Sequence, residues 1–397
     1  MKHLYELHTA AWLSRLTSEH GYLVTLHNVP DDEVERIASY HIDTIWLMGV
    51  WERSPVAAEI SRRDKGLVDE IHRLLPDMSD EDIIGSAYAV KSYTVDQQFG
   101  GQSGLAMFRS QLAEKNIKLI LDFVPNHTAF DNAWVAQHPD YYITADVTQA
   151  TARPDVYYAA GGIAVAKGAD PNLAPWPDVA QLNGYSTGYR HASVETLRTI
   201  AQQCDGVRCD MAMLLLNDVV ARAWGSAAGE RPSDEYWQTV IDKVRDTSPS
   251  FIFIAECYWD AERHLVSLGF DYCYDKTLYD CMTSSDNSAL RNHIDTLGDI
   301  APNLVHFLEN HDEQRAATVF NLQEQAKYAH LITTLPGPCL WYDGQFSGYT
   351  AKLPTHVRRG PAEPTNPEIK AMYEDLLRRL QADAHDIPQS PLHTDAV

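Results

Sequence analysis

Nowhere in its 397 residues does the sequence hold a run of about 18 apolar residues, so it offers no membrane-spanning helix. Basic residues are scarce: 32 Lys and Arg stand against 55 Asp and Glu, a net charge of −23. Nucleic acid and anionic membrane both ask for a basic footprint, so neither is expected as a partner. The N-terminus, MKHLYELHTAAWLSRL, lacks a long apolar core ahead of a small-residue cleavage site, which argues against a signal peptide. Cysteines are few, and Cys204, Cys209, Cys257, Cys273, Cys281 and Cys339 show neither a CxxC nor a framework spacing. Free thiols and a cytoplasmic location are the expectation. There is no short repeat of the solenoid type.

What is present is the composition of a globular protein: 45% hydrophobic, 10% aromatic and 22% charged. A chain of this length buries a large core without needing disulfides or metal to fold. Short apolar runs alternate with helical patterns throughout. Strands are predicted near 4–10, 43–48, 118–124, 205–210, 251–256, 270–275, 304–309 and 338–342. Between them, 31–40 sets Val34, Ile37 and Ala38 on one helical face, and 104–115 does the same with Leu105, Phe108 and Leu112. Near the end, Asn366 caps a helix that starts at Pro367 and carries Ile369, Met372, Tyr373, Leu376, Leu377 and Leu380 as one stripe.

Eight strands alternating with helices predict an α/β fold, a (β/α)8 TIM barrel. Two connections exceed a simple crossover: 49–101 after the second strand, and about 80 residues after the third. The latter is rich in Tyr, Trp, Pro and Gly and reads as a small irregular subdomain. The predicted organisation is barrel over 1–127, inserted subdomain over 128–192, barrel again over 193–382, and a loose tail over 383–397.

In such barrels chemistry gathers where strands end. The third strand ends with Asp122, Asn126 and His127; the fourth with Arg208 and Asp210; the fifth with Glu256; the seventh with Asn310, His311 and Asp312. Alternation puts Arg208 and Asp210 on one face, where the guanidinium would hold the carboxylate ionised, as a nucleophile requires. Glu256 follows an apolar run, which should raise its pKa and suit a proton donor. Three carboxylates in one mouth suit glycosidic bond cleavage. Neutral His127 and His311 would hydrogen-bond sugar hydroxyls, and the aromatic loops offer platforms for sugar faces. Read singly, each residue has a plainer role: a loop cap, a structural ion pair, subdomain core.

The stretches DFVPNH (122–127), GVRCDMAML (206–214), IAECYW (254–259) and FLENHD (307–312) resemble, in order, the four signature regions of the α-amylase family, glycoside hydrolase family 13. GSAYAVKSYTVDQQFGG (85–101) is similar to that family's loop after the second strand. The resemblance spans about residues 4 to 345 and implies Asp210 as nucleophile, Glu256 as acid/base and Asp312 as transition-state stabiliser. It implies Arg208, His127 and His311 around the reacting sugar, Tyr88 as the platform beneath it and Asp122 as support. The inserted stretch corresponds to the family's subdomain B. The implied activity is that of a retaining α-glycosidase or transglycosidase on α-glucosides or short α-glucans, through a covalent glycosyl-enzyme on Asp210.

Some positions depart from the family pattern. Met213 and Leu214 stand where many amylases carry a Lys-His pair, which weighs against a long-chain endo-amylase. Asn126 matches a position that ligates calcium in some members, but the inserted stretch shows no carboxylate-rich partner cluster, so no cofactor and no metal site are expected, with calcium at Asn126 as the alternative. Most members end in an all-β domain; this sequence stops too soon to hold one, so the expectation is either a minimal natural form or a shortened chain. Arg358 and Arg359 follow a Gly-rich loop and read either as a solvated basic turn or as guanidinium groups closing the pocket. The alternative function is a non-catalytic carbohydrate-binding or interaction protein on an amylase-like barrel. A metal-dependent barrel hydrolase would want converging histidines, and no HxH occurs.

Overall fold

Alternation along short apolar strands sorts their side chains onto two faces, and the structure uses both. The computed structural model describes residues 1–385 apart from Leu173 and Ser285. Its strands are β1 (His3–His8), β2 (Thr44–Met48), β3 (Lys118–Phe123), β4 (Gly206–Cys209), β5 (Ile252–Ala255), β6 (Tyr272–Tyr274), β7 (Leu304–Phe307) and β8 (Cys339–Tyr342). They pair in parallel in sequence order, and β8 returns to β1 with His3 beside Cys339, closing the barrel. Each lies within two residues of its predicted span.

Leu4, Trp46, Ile120, Ile254, Phe307 and Leu340 form one buried cluster, which fills the barrel interior. Their strand neighbours Tyr5, Ile45, Leu121, Phe253 and Trp341 join a larger cluster between strands and helices. Each such side chain contributes about 1.5–3 kcal/mol by leaving water. The interior is crowded enough to dictate Gly206. A Cβ there would lie 2.5 Å from the Ile252 carbonyl oxygen and 2.7 Å from Ile120 Cδ1.

The predicted helices form, shifted by a few residues, as Asp31–Ser39 and Gly101–Glu114. The last begins at Pro367, with Asn366 Oδ1 accepting from the Glu368 and Ile369 amides, and buries Ile369, Tyr373, Leu376 and Leu377. It runs to His385, so the first three residues of the expected tail are helical; the rest of that tail, 386–397, lies outside the described residues.

Both long connections carry structure. After β2, strand Trp51–Arg53 pairs with Val90–Val95, and between them stand helices Pro55–Arg63 and Lys65–Leu74. Ser54 and Asp64 cap these helices through their side-chain oxygens. After β3, strand His127–Ala129 pairs antiparallel with Val179–Gln181, and a three-stranded sheet (Thr144–Asp146, Tyr157–Ala160, Ile163–Ala166) lies between. Helix Thr187–Ala201 then returns the chain to the barrel, starting before residue 192. All six cysteines are free, and among the described residues no helix is long and apolar enough to cross a membrane.

Candidate active site

The same alternation that fills the barrel with Leu4, Ile120 and Ile254 carries Glu6, Asp122 and Glu256 onto the interior face two residues later. Arg208 pairs in register with Asp122 on one side and Ile254 on the other. Its guanidinium, wholly buried, is the hub of the site. Nη1 lies 2.7 Å from Asp210 Oδ1 and 3.9 Å from Asp122 Oδ1; Nη2 lies 2.8 Å from Glu256 Oε2 and 3.9 Å from Asp312 Oδ2. Aromatic faces enclose it, the Trp46, Tyr88 and Tyr274 rings standing 5.1, 5.2 and 5.7 Å from its central carbon. Such a cation is attracted to each ring and shielded from water by all three.

Each carboxylate is held differently. Asp122 accepts from Trp46 Nε1 at 3.1 Å and from the Gly49 amide at 2.7 Å. Gly49 has φ of 75°, and a Cβ on it would sit 2.7 Å from Ala87 Cβ, so only glycine brings that amide to Asp122. Burial pushes Asp122 up to about 6. Glu256 accepts from Tyr258 Oη and from the Met211 amide, each at 2.6 Å. Burial and the neighbouring Glu256 charge push Asp210 above the usual carboxylate range, against the pull of Arg208. This reverses the sequence expectation of a low Asp210: the group is buried, and a second carboxylate shares the Arg208 guanidinium.

Asp312 stands apart. Burial alone would raise it, but the His311 imidazolium and Arg208 outweigh that and hold it near 2. His311 Nε2 lies 3.1 Å from Asp312 Oδ2 and 2.8 Å from Tyr88 Oη, while Nδ1 meets Glu6 Oε1. Burial would lower His311, yet Asp312 and Glu6 on its two sides raise it to about 10. His311 is therefore charged, not the neutral group expected. His127, by contrast, is held neutral, lowered to about 3 by burial.

A cavity of 720 Å³ opens over these groups. Tyr88, His127, Asp210, Glu256 and Asp312 line it; Asp122, Arg208 and His311 stand behind its walls, at most 2% exposed. Ser61, Asp64 and Leu67 from the helix pair after β2 form one side, and Trp176, Asp178 and Val179 from the inserted segment another. Tyr258 and Trp259 follow Glu256 on the rim. Met211, Trp259 and Asp260 adopt positive φ without being glycine, strained backbone next to Asp210 and in the loop that follows Glu256. A guanidinium that hydrogen-bonds one carboxylate and ion-pairs with a second beside a cavity can support nucleophilic attack and proton transfer at one bond.

Other residues singled out in the sequence lie away from the cavity. Met213 and Leu214 are core residues. Neither Arg358 nor Arg359 lines the cavity; Arg358 is exposed, as a solvated turn would have it, while Arg359 is tied down. Arg359 Nε binds Asp82 Oδ1 at 2.8 Å and Arg358 lies 3.8 Å from the same carboxylate, clamping the loop after β8 to the helix-pair insertion. Asn126 Oδ1 meets a donor, the Gln181 amide nitrogen at 2.9 Å, a donor set that does not suit a hard cation. Among the described residues no group of three or more His, Cys, Asp or Glu is arranged to hold a metal ion. Sequence reasoning missed Glu6, Trp46, Tyr258 and Tyr274. Extending the alternation rule to the first strand would have put Glu6 on the Leu4 face.

The alpha-amylase catalytic-domain model matches residues 32–378. Alpha-amylase MalA of Haloarcula japonica is 23% identical over 269 residues, 64% of this chain and 35% of that protein. Alpha-amylase 3 of Dictyoglomus thermophilum is 23% identical over 313 residues, 71% of this chain and 57% of that one. The chain thus spans roughly a third to just over half the length of these curated relatives. Among solved structures, an alpha-amylase from Lactobacillus plantarum superposes with a TM-score of 0.68 at 20% identity, covering 96% of this chain and 80% of its own. The cyclic alpha-maltosyl-(1→6)-maltose hydrolase of Arthrobacter globiformis gives a TM-score of 0.68 at 15% identity, covering 97% and 83%. At such identities the likeness is one of fold.

Proposed function

The chain belongs to the alpha-amylase catalytic-domain family, and from that premise we propose that it is a retaining α-glycosidase or transglycosidase acting on α-glucosides or short α-glucans. The observation that carries the reading is Asp210 and Glu256 held on the two terminal nitrogens of one buried guanidinium at the cavity. Such closeness favours the retaining arrangement, in which one carboxylate attacks directly, over the wider one that leaves room for water.

Asp210, as carboxylate, attacks the anomeric carbon while protonated Glu256 gives its proton to the glycosidic oxygen, which departs as an alcohol. The pair needs one proton between them at that moment, and two carboxylates sharing one cation are disposed to keep one. Glu256, now ionised, takes a proton from water or a sugar hydroxyl, which attacks the glycosyl ester and releases Asp210. Asp312, ionised and cavity-facing, sets negative charge where the sugar ring develops positive charge. Tyr88 and His127 line the sugar's side of the cavity, and Arg208 and His311 fix the carboxylates from behind.

An uncharged sugar suits a protein of net charge −23. Six free thiols, five of them buried, fit a reducing, cytoplasmic compartment. The test is proton NMR of the protein with maltose, maltotetraose, sucrose, trehalose and 4-nitrophenyl α-glucoside, beside an Asp210→Asn control. The expected result is α-anomeric product appearing before mutarotation and absent in the control. A β-anomeric first product, or an active control, overturns the reading.

A further inference from the structure

Asn126, just after β3, and Gln181, at the end of the strand paired with His127–Ala129, meet where the inserted segment joins the barrel. Both are buried, 2% and 3% exposed. Gln181 Nε2, with two N–H groups to donate, lies within hydrogen-bond distance of three oxygens: Asn126 Oδ1 at 2.9 Å, the Asn126 carbonyl at 3.0 Å and the Leu182 carbonyl at 2.9 Å. Its Oε1 accepts from the Ala169 amide at 3.0 Å. Backbone groups settle which end is which: an N–H only donates and a peptide carbonyl only accepts, so the nitrogen faces the three oxygens.

Three oxygens converging on one buried point resemble the beginning of a cation site, with an NH₂ group at the centre. A hard cation such as Ca²⁺ takes six to eight oxygens at about 2.3–2.6 Å, carboxylates usually among them. Every oxygen meeting the Gln181 nitrogen is an uncharged amide or peptide oxygen, and the centre is already filled by a donor. We propose that in this chain the Gln181 amide stands in place of a cation, joining the inserted segment to the barrel without metal.

The knot gathers three stretches of chain. Asn126 is anchored further by the Leu182 amide, which donates to its carbonyl at 2.9 Å; Gly168 N donates to the Val179 carbonyl at 2.9 Å. His127, the next residue, lines the cavity with its ring 5.0 Å from that of Trp176. The amide therefore fixes the His127 wall relative to the barrel strands. As a neutral tie it keeps its strength whatever the free calcium level.

The test compares thermal unfolding of the full chain in excess EDTA and in millimolar CaCl₂, with calcium content measured on dialysed protein. Wild type is expected to melt within about 2 °C in both and to carry no stoichiometric calcium. A larger rise with calcium, or one calcium per chain, overturns the proposal. Gln181→Glu sets a carboxylate among the three oxygens. It is expected to melt lower in EDTA and to recover with calcium, or to fold only when calcium is present. A glutamate variant that calcium does not rescue overturns the exchange of amide for cation. Gln181→Met, lacking both donor and carboxylate, is expected to be destabilised without rescue; rescue of this variant would place calcium elsewhere and overturn it too. None of these readouts depends on turnover, so they stand apart from the glycosidase assignment.

Discussion

Glu6 and His311, 305 residues apart in the chain, meet inside the barrel with Glu6 Oε1 against His311 Nδ1. Glu6 comes from β1 and His311 from the loop after β7, so β8 lies between their strands in the ring. The contact leaves His311 Nε2 to face Asp312 and Tyr88. Other charged or titratable groups come close from other elements, Arg208 to Asp312 and His8 from β1. Glu6 thus acts on the cavity through the imidazolium, as a positioning residue.

This pair gives the protein a pH dependence on the alkaline side. The folded His311 pKa, about 10, stands above the ordinary 6.5, so its stabilisation is full below about 6.5 and is lost as pH rises through 10. Asp312, held near 2, works the other way and loses its contribution only as pH falls through that value. Melting temperature should fall between pH 6.5 and 10, and Glu6→Gln should move the fall to lower pH. Nitrogen-15 NMR at pH 8 should find both His311 ring nitrogens protonated in wild type. A His311 titrating near 6.5 would contradict the arrangement.

Asp210→Asn should abolish turnover, by about 10⁴-fold or more, yet melt higher than wild type at neutral pH. Asp210 binds its proton more tightly folded than unfolded, so its contribution to stability is present at low pH and is lost as pH rises toward the folded value. Removing one negative charge from a crowded site relieves that loss. Calorimetry at pH 5 and pH 8 checks the sign: the variant's advantage should grow with pH.

Arg208→Lys keeps the charge but loses the fork that hydrogen-bonds Asp210 through one nitrogen and sets the other 2.8 Å from Glu256. Turnover should drop about 10²-fold or more with the fold retained. Arg208→Met leaves Asp122, Asp210, Glu256 and Asp312 facing one another, and removing the partner of buried charges costs about 3–5 kcal/mol. Denaturant unfolding of the two variants separates lost charge from lost geometry.

Trp259 lies on the cavity rim, 42% exposed, with Arg222 5.9 Å from its ring. Trp259→Ala should raise KM by about 3–10-fold and leave kcat within about two-fold, since a stacking face contributes to ground state and transition state alike. An equal fall in kcat would instead place the ring at the reacting sugar.

Most of the barrel was legible because strand runs are local: apolar side chains at adjacent and alternate positions identify an element without knowledge of its neighbours. The strand-end motifs were legible for the same reason, Arg208 and Asp210 sharing a face by two-residue spacing. Ionisation states were not, because each depends on groups far off in sequence. Glu6 sits in an apolar strand, and nothing near it in sequence announces His311. Arg359 looked like part of a solvated turn because its partner Asp82 lies 277 residues away. Trp46 and Tyr274 carry no local sign that Arg208 stands between them. The positive φ at Trp259 and Asp260 left no mark in residue type.

The ring of contacts around Arg208 also sets when, along the path from unfolded chain to native protein, the cavity can first work. Glu6 enters with the first strand, and His311 and Asp312 arrive after the seventh, so the hub is complete only once the two ends of the chain have come together. Contacts of such sequence separation form late. During refolding, recovered turnover should therefore lag behind recovered helical signal. A chain released from the ribosome before its last strands should be folded in part and wholly silent. Activity in this protein reports closure of the circle.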